Sequence, residues 1–351
     1  MERDTEEKIL YLSQQDVAHI CQDLDSVAII REMFHLHATG QTLLPDEAYM
    51  GWTNADGEVV RNLNMPGYLQ GSQRRAGTKI INGNIANPNR NLPRASGLTL
   101  LYDDTTVRIQ CIMDSAFISS LRTASVSALA ADLCQGPEVQ TLAIIGAGVL
   151  AKAHIELLTR RLPALHHVQI FDINRDRADE LIKSLSPEMQ QRLAFHITTS
   201  AEAAIRPAQL VIPTTTTTRG YIPFSWLQPG TIIVNVSLDD VLPEVVYQAQ
   251  KIIIDDWPLV KNDTHRLLGR MYRAGQITGP AGRDEGAASK DGCRGIDAEL
   301  GELVIGTKKG RETPQDIILV NPFGMAIEDI AIAHRVYQLA QKQQRGIWLE
   351  R

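Results

Sequence analysis

Three groups of residues in this sequence have the types and spacing to do chemistry. The first is Gly146-Ala147-Gly148-Val149-Leu150-Ala151, directly behind the apolar run 141–145 and ahead of a helical stretch. In such a turn Gly146 permits the sharp exit from a strand, Gly148 lets backbone approach a pyrophosphate, and Ala151 lets helix and strand pack closely. The helix start then offers N–H groups and a positive dipole end to phosphate. Asp172 closes a second apolar run, 168–172, where a carboxylate takes the adenosine ribose hydroxyls and disfavours a 2′-phosphate. Val149, Leu150, Asn174 and Arg175 adjoin this predicted cofactor site, and Thr214, Thr215 and Thr216 line its crevice at the end of a later strand. The chemistry is hydride transfer with a nicotinamide dinucleotide. Asp172 favours NAD, and the following Asn174-Arg175 leaves NADP open.

The second group is cationic: Arg61, Lys79, Arg94 and Arg122, with Arg74 and Arg75 beside them. Arg122 interrupts the apolar stretch Leu121, Ala124, Val126, so burying it requires an anion. Guanidinium binds carboxylate through two parallel hydrogen bonds, which makes Arg122 a carboxylate clamp or one half of a structural ion pair. Lys79, inside a strand, faces the same choice. Arg74 and Arg75 are expected to be solvated. The third group is Asp239-Asp240, just past the apolar run 231–236, where open α/β sheets bind ligands. One of the two carboxylates, its pKa raised by burial, can take a proton or activate water. No metal centre is expected. Glu32 and His35 have Glu-x-x-His spacing, but no second such motif completes a site.

The elements that must position these groups follow from pattern. Ser13 and Asp16 form a capping signal, and Val17, Ile20, Leu24, Val27, Ile30 and Met33 continue at helical spacing to about Ala38. Residues 65–68, Met-Pro-Gly-Tyr, predict a turn. Runs 77–82, 97–102 and 107–113 predict strands, with a loop over 84–94, and Asp114 caps a helix over 115–134 closed by Gly136-Pro137. After Asp172, strands at 193–198, 209–214, 231–236, 251–256 and 317–321 alternate with helical stretches. That alternation predicts a doubly wound parallel sheet, a Rossmann α/β domain over 135–321. An α+β substrate-binding domain takes 1–134 and 322–351, ending on a helix from 325 to 343. The polar, glycine-rich residues 279–295 read as an inserted loop.

The 351 residues suffice for two cores, and 44% hydrophobic with 22% charged residues is ordinary for a globular enzyme. A net charge of −6 gives no reason to expect nucleic-acid or anionic-membrane partners. The charged start, 1–8, is unlike a signal peptide, and no run of about 18 apolar residues could span a bilayer. Four scattered cysteines, Cys21, Cys111, Cys134 and Cys293, fit reduced thiols in a cytoplasmic protein.

Taken together, Gly77-Thr78-Lys79, Leu121-Arg122-Thr123-Ala124, Ile144-Ile145-Gly146-Ala147-Gly148, residues 235–240 and Gly324-Met325-Ala326-Ile327-Glu328-Asp329 resemble the ornithine cyclodeaminase/μ-crystallin family almost end to end. Within it, residues 94–97, 118–120, 255–257, 298–301 and 318–330 are similar to the branch of N-(2-amino-2-carboxyethyl)-L-glutamate dehydrogenases, which supply 2,3-diaminopropionate for siderophores and peptide antibiotics. The resemblance implies a homodimer built on the substrate domain and an amino-acid substrate whose carboxylates meet Arg61, Lys79, Arg94 and Arg122. It implies Asp240 as the catalytic acid, with Lys79 beside the chemistry. Gly146, Gly148, Asp172, residues 214–216 and Ser237 fall to the cofactor. Glu244 stands where the cyclodeaminase pattern has lysine, which weighs against ornithine or lysine cyclisation with internally recycled NAD. The remaining alternative is a dinucleotide-binding protein without turnover.

Overall fold

The computed structural model describes residues 8–134, 136, 138–237, 239–281 and 293–351. The charged start, Pro137 and most of the 279–295 insertion lie outside them. The chain divides into two compact units, Met1–Arg122 with Gly324–Arg351, and Thr123–Phe323. The first crossing falls inside the helix Ala116–Leu133 rather than after it.

The first unit is built on an eight-stranded mixed sheet. Its order is Ile347–Glu350, Lys8–Leu12, Ile109–Asp114, Ala95–Tyr102, Arg75–Asn84, Val59–Leu69 and Thr42–Leu43, with Ala48–Thr53 also paired to Val59–Leu69. The expected capping box forms: Ser13 Oγ accepts from Asp16 N–H, and the Asp16 carboxylate accepts from Ser13 N–H. The single helix predicted beyond it is two, Gln14–Cys21 and Ser26–Ala38. Asp25 caps the second by accepting from Ala28 N–H at 3.0 Å, so Leu24 falls in the break. The turn predicted at 65–68 is also corrected, because Val59–Leu69 runs straight through it. Residues 65–67 lie between the stretches paired to 48–53 and 42–43, at an open edge where a sheet tolerates proline. Gly67 is there for packing. A Cβ on it would sit 2.9 Å from Ile327 and 3.0 Å from Ile330, so glycine lets the helix Ala326–Gln343 lie close on the sheet.

The second unit is a doubly wound, wholly parallel sheet of eight strands. The order is Ala194–Ile197, His167–Phe171, Thr141–Ile145, Leu210–Pro213, Ile232–Val234, Ile318–Asn321, Lys251–Ile254 and Ala298–Glu299. Helices cover both faces, so the strands are buried on both sides and read as continuous apolar runs. All five residues of Thr141–Ile145 are buried. The order reverses between Thr141–Ile145 and Leu210–Pro213, the switch point at which such sheets open a ligand crevice. Ile318–Asn321 inserts between Ile232–Val234 and Lys251–Ile254, a pairing that no local pattern announces.

Candidate active site

In the first unit the antiparallel register places Met65, Lys79, Thr99 and Met113 in one row across the sheet. Directly opposed residues share a face. Lys79 points to the face covered by Ala326–Gln343 and is 1% exposed. Its Nζ lies 2.8 Å from Asp329 Oδ2. Arg122 Nη1 lies 2.8 Å from Glu328 Oε2, and its Nε 3.4 Å from Asp329 Oδ2. Two cations thus meet two fully buried carboxylates, the anions that an arginine in an apolar helix requires. Burial lowers the Lys79 pKa; Asp329 opposes that shift and the Arg122 charge adds to it. Gly324, at φ +96°, completes the cluster, because a Cβ there would be 2.6 Å from Arg122 Nη1.

Arg61 lies opposite Gly83, and Gly83 opposite Ala95, on the same face as Lys79. A Cβ on Gly83 would meet Arg61 Nε at 3.4 Å and the Arg94 carbonyl at 3.7 Å, so the two arginines flank one glycine. Both are exposed, and neither has an acidic partner among the described residues. Desolvation, then the like charge of Arg61, lowers the Arg94 pKa. The loop that carries Arg94 is tied down by Glu58, which accepts from Arg90 at 2.7 Å and Asn84 at 2.8 Å. These bonds, Arg90 first, hold Glu58 at a pKa of about 2. Arg74 pairs at the surface with Asp104, but Arg75 is buried against Glu32 at 2.7 Å, which corrects its expected solvation. Glu32 of the Glu-x-x-His pair is thereby engaged, and no group of three or more possible metal ligands occurs among the described residues.

In the second unit the glycine turn leaves Thr141–Ile145 through Gly146, at φ +93°, whose N–H donates to the Phe171 carbonyl at 2.7 Å. Gly148 caps the helix Val149–Arg161 without a side-chain bond, and a Cβ on it would meet nothing within 4 Å. Helix-start N–H groups beside open space are what a pyrophosphate needs. Val149 is 75% exposed and Leu150 half-buried, while Ala151 is fully buried against the sheet. Asp172 accepts from Ala147 N–H and Asn174 N–H, both at 2.8 Å, which orients its carboxylate beside the turn. Asn174 and Arg175, both exposed, open the next helix, with Asn174 as its cap. Across the switch point, Thr214 Oγ1 donates to the Gly146 carbonyl at 2.8 Å; Thr216 is exposed.

Asp239 and Asp240 separate in role. Asp239 Oδ1 accepts from Leu267 N–H at 2.7 Å and its Oδ2 pairs with Arg270 at 2.7 Å, so it anchors the helix Leu267–Arg273. Asp240 is fully buried and faces hydroxyls. Thr215 donates to Oδ1 at 2.7 Å, Tyr221 to Oδ1 at 3.0 Å, and Ser237 to Oδ2. Burial raises the Asp240 pKa, and the three hydroxyls restrain that rise. A carboxylate with a raised pKa at the carboxyl end of a parallel sheet can accept and return a proton. Tyr221 is the residue that sequence reasoning missed; it lies on an irregular segment with no motif. Glu328 and Asp329 were visible only as part of a longer similarity, without a role.

Residues 7–344 match the model of the ornithine cyclodeaminase/mu-crystallin family. The chain is 32% identical over 348 residues to the N-((2S)-2-amino-2-carboxyethyl)-L-glutamate dehydrogenase of Staphylococcus aureus (strain NCTC 8325 / PS 47), covering 97% of this chain and 98% of that one. It is similar to the crystal structure of CmnK, with a TM-score of 0.87, 30% identity and 98% of each chain covered. An archaeal alanine dehydrogenase dimer with bound NAD shares the fold, with a TM-score of 0.81, 24% identity and 98% and 99% coverage.

Proposed function

The chain belongs to the ornithine cyclodeaminase/mu-crystallin family, and on that premise we propose that it oxidises N-(2-amino-2-carboxyethyl)-L-glutamate with NAD and water to 2,3-diaminopropionate, 2-oxoglutarate and NADH. The chain is an NAD-dependent oxidoreductase of this family. The open space at Gly148, the helix start behind it and the oriented Asp172 fit a dinucleotide. When bound, NAD supplies the hydride acceptor.

The observation that carries the substrate proposal is a charge imbalance. Lys79 and Arg122 are matched by Asp329 and Glu328, whereas Arg61 and Arg94 have no acidic partner among the described residues. Gly83, opposite Arg61, lies four residues from Lys79 along one strand, about 13 Å at 3.3 Å per residue. An outer pair of arginines suits a substrate with carboxylates spread along its length; alanine or ornithine offers one. In this reading the four cations bind and orient the carboxylates. Asp240 takes a proton from the water that attacks the imine carbon and returns it to the departing amine. Glu244, at the position of the cyclodeaminase lysine, instead accepts from Phe224 N–H at 2.8 Å, which supports hydrolysis over cyclisation.

The proposal includes a homodimer. All six residues of Ala48–Thr53 are exposed, among them Tyr49, Met50 and Trp52 at 61%, 57% and 47%, an apolar edge that a second copy can cover. It also places the enzyme in the cytoplasm, in siderophore or peptide-antibiotic biosynthesis. The four cysteines are free thiols, and no helix among the described residues is long and apolar enough to cross a membrane. Mass spectrometry of products tests the substrate. Formation of 2-oxoglutarate and 2,3-diaminopropionate from the proposed substrate is expected, and proline with ammonia from ornithine would overturn it.

A further inference from the structure

Asp240 is held asymmetrically. Oδ1 receives Thr215 and Tyr221; Oδ2 receives Ser237. The two donors at Oδ1 have a fixed direction. Thr215 Oγ1 accepts from Thr217 N–H at 3.1 Å, which commits its own proton to Asp240. Tyr221 stays protonated, because burial and then the Asp240 charge drive its pKa up. Its ring is held by backbone: Tyr221 N–H and Ile222 N–H both reach the Asp240 carbonyl at 2.9 Å, and Ile222 bridges Val241.

Ser237 differs. Its Oγ reaches both Asp240 Oδ2 and the Pro213 carbonyl, the latter at 3.2 Å. One hydroxyl proton cannot serve both acceptors at once. With Asp240 ionised, Ser237 donates to it. With a proton on Oδ2, Asp240 donates to Ser237, whose own proton turns to Pro213. Neither state strands a buried polar group, which would otherwise cost about 1–3 kcal/mol.

We propose that Ser237 is a two-way hydroxyl that assigns the exchangeable proton of Asp240 to Oδ2, and that Thr215 and Tyr221 are positioning residues that fix Oδ1. Oδ2 is then the oxygen that meets water and the leaving amine. The inference rests on the acid–base reading of Asp240 given above. The titratable groups that act on Asp240 are Tyr221 and Asp239, and the charge of Asp239 is offset by Arg270.

The test is an infrared titration of the Asp240 carboxyl stretch in the NAD-bound enzyme, with Asp240→Asn as the blank, alongside the pH profile of kcat/KM. Tyr221→Phe or Thr215→Val removes a donor from the ionised form only. Each should raise the Asp240 pKa by roughly one unit and carry the acid limb of the profile upward with it. Ser237→Ala removes a donor from one form and an acceptor from the other. It should move the pKa less but lower kcat roughly tenfold or more, with Ser237→Thr restoring it. A Ser237→Ala shift as large as that of Tyr221→Phe, or no shift in either Oδ1 variant, would overturn the assignment. If Asp240→Asn keeps turnover, the acid–base reading fails, while the infrared titration still decides the hydroxyl assignment.

Discussion

Lys79 and Asp329 stand 250 residues apart in the chain and form a 2.8 Å ion pair with both side chains buried. Removing one partner leaves a buried charge that burial alone would not support. Asp329→Asn should therefore destabilise the protein by roughly 3–5 kcal/mol, measured by denaturant unfolding. The double variant Lys79→Met with Asp329→Leu should lose much less than the sum of the singles. An additive double variant would mean that the pair is not coupled.

Arg61 and Arg94 should behave in the opposite way. Both are exposed, so truncation should leave the melting temperature nearly unchanged. Arg94→Gln should raise KM for the proposed substrate roughly 10- to 100-fold, the worth of one charge-assisted bond, and added salt should raise the wild-type KM. Unchanged steady-state kinetics in Arg94→Gln would exclude it from substrate binding.

The two neighbouring aspartates should separate by readout. Asp240→Asn should abolish turnover with little loss of stability. Asp239→Asn should lower the melting temperature, since it weakens the anchor on Leu267 N–H and Arg270, yet retain turnover. If Asp239→Asn is the inactive variant, the acid lies at the other position.

His154 sets an acid limit on stability. It is fully buried, its Nε2 lies 2.9 Å from Ser127 Oγ, and burial lowers its pKa from 6.5 to about 4. Between those values the unfolded chain binds the proton and the folded one does not, so stability falls as pH drops from 6.5 toward 4. The full loss is about 3 kcal/mol. Thermal unfolding across that range should show this slope in wild type and a shallower one in His154→Gln. Equal slopes would assign the acid sensitivity to other groups.

What could be read in the sequence was local. The glycine turn, the strand ending in Asp172 and the Ser13 capping box depend on a few adjacent residues, and the structure builds each of them. Long-range pairing left no such trace. Nothing near Lys79 or Arg122 shows that their counter-ions arrive from the last long helix, and nothing near 318–321 shows that this strand enters between two earlier ones. Pro66 and Gly67 misled because turn chemistry and an open sheet edge favour the same residue types. Tyr221 was invisible because its value comes from the backbone pairing of 221–222 with 240–241.

The central claim is net oxidation of a secondary amine followed by hydrolysis. The most direct measurement is the near-ultraviolet absorbance of NADH when the purified enzyme, with NAD in excess, is given N-(2-amino-2-carboxyethyl)-L-glutamate. The expected result is NADH accumulating in step with 2-oxoglutarate, one for each substrate consumed, and none with ornithine. Consumption of ornithine to proline and ammonia, with no net NADH from either compound, would contradict it.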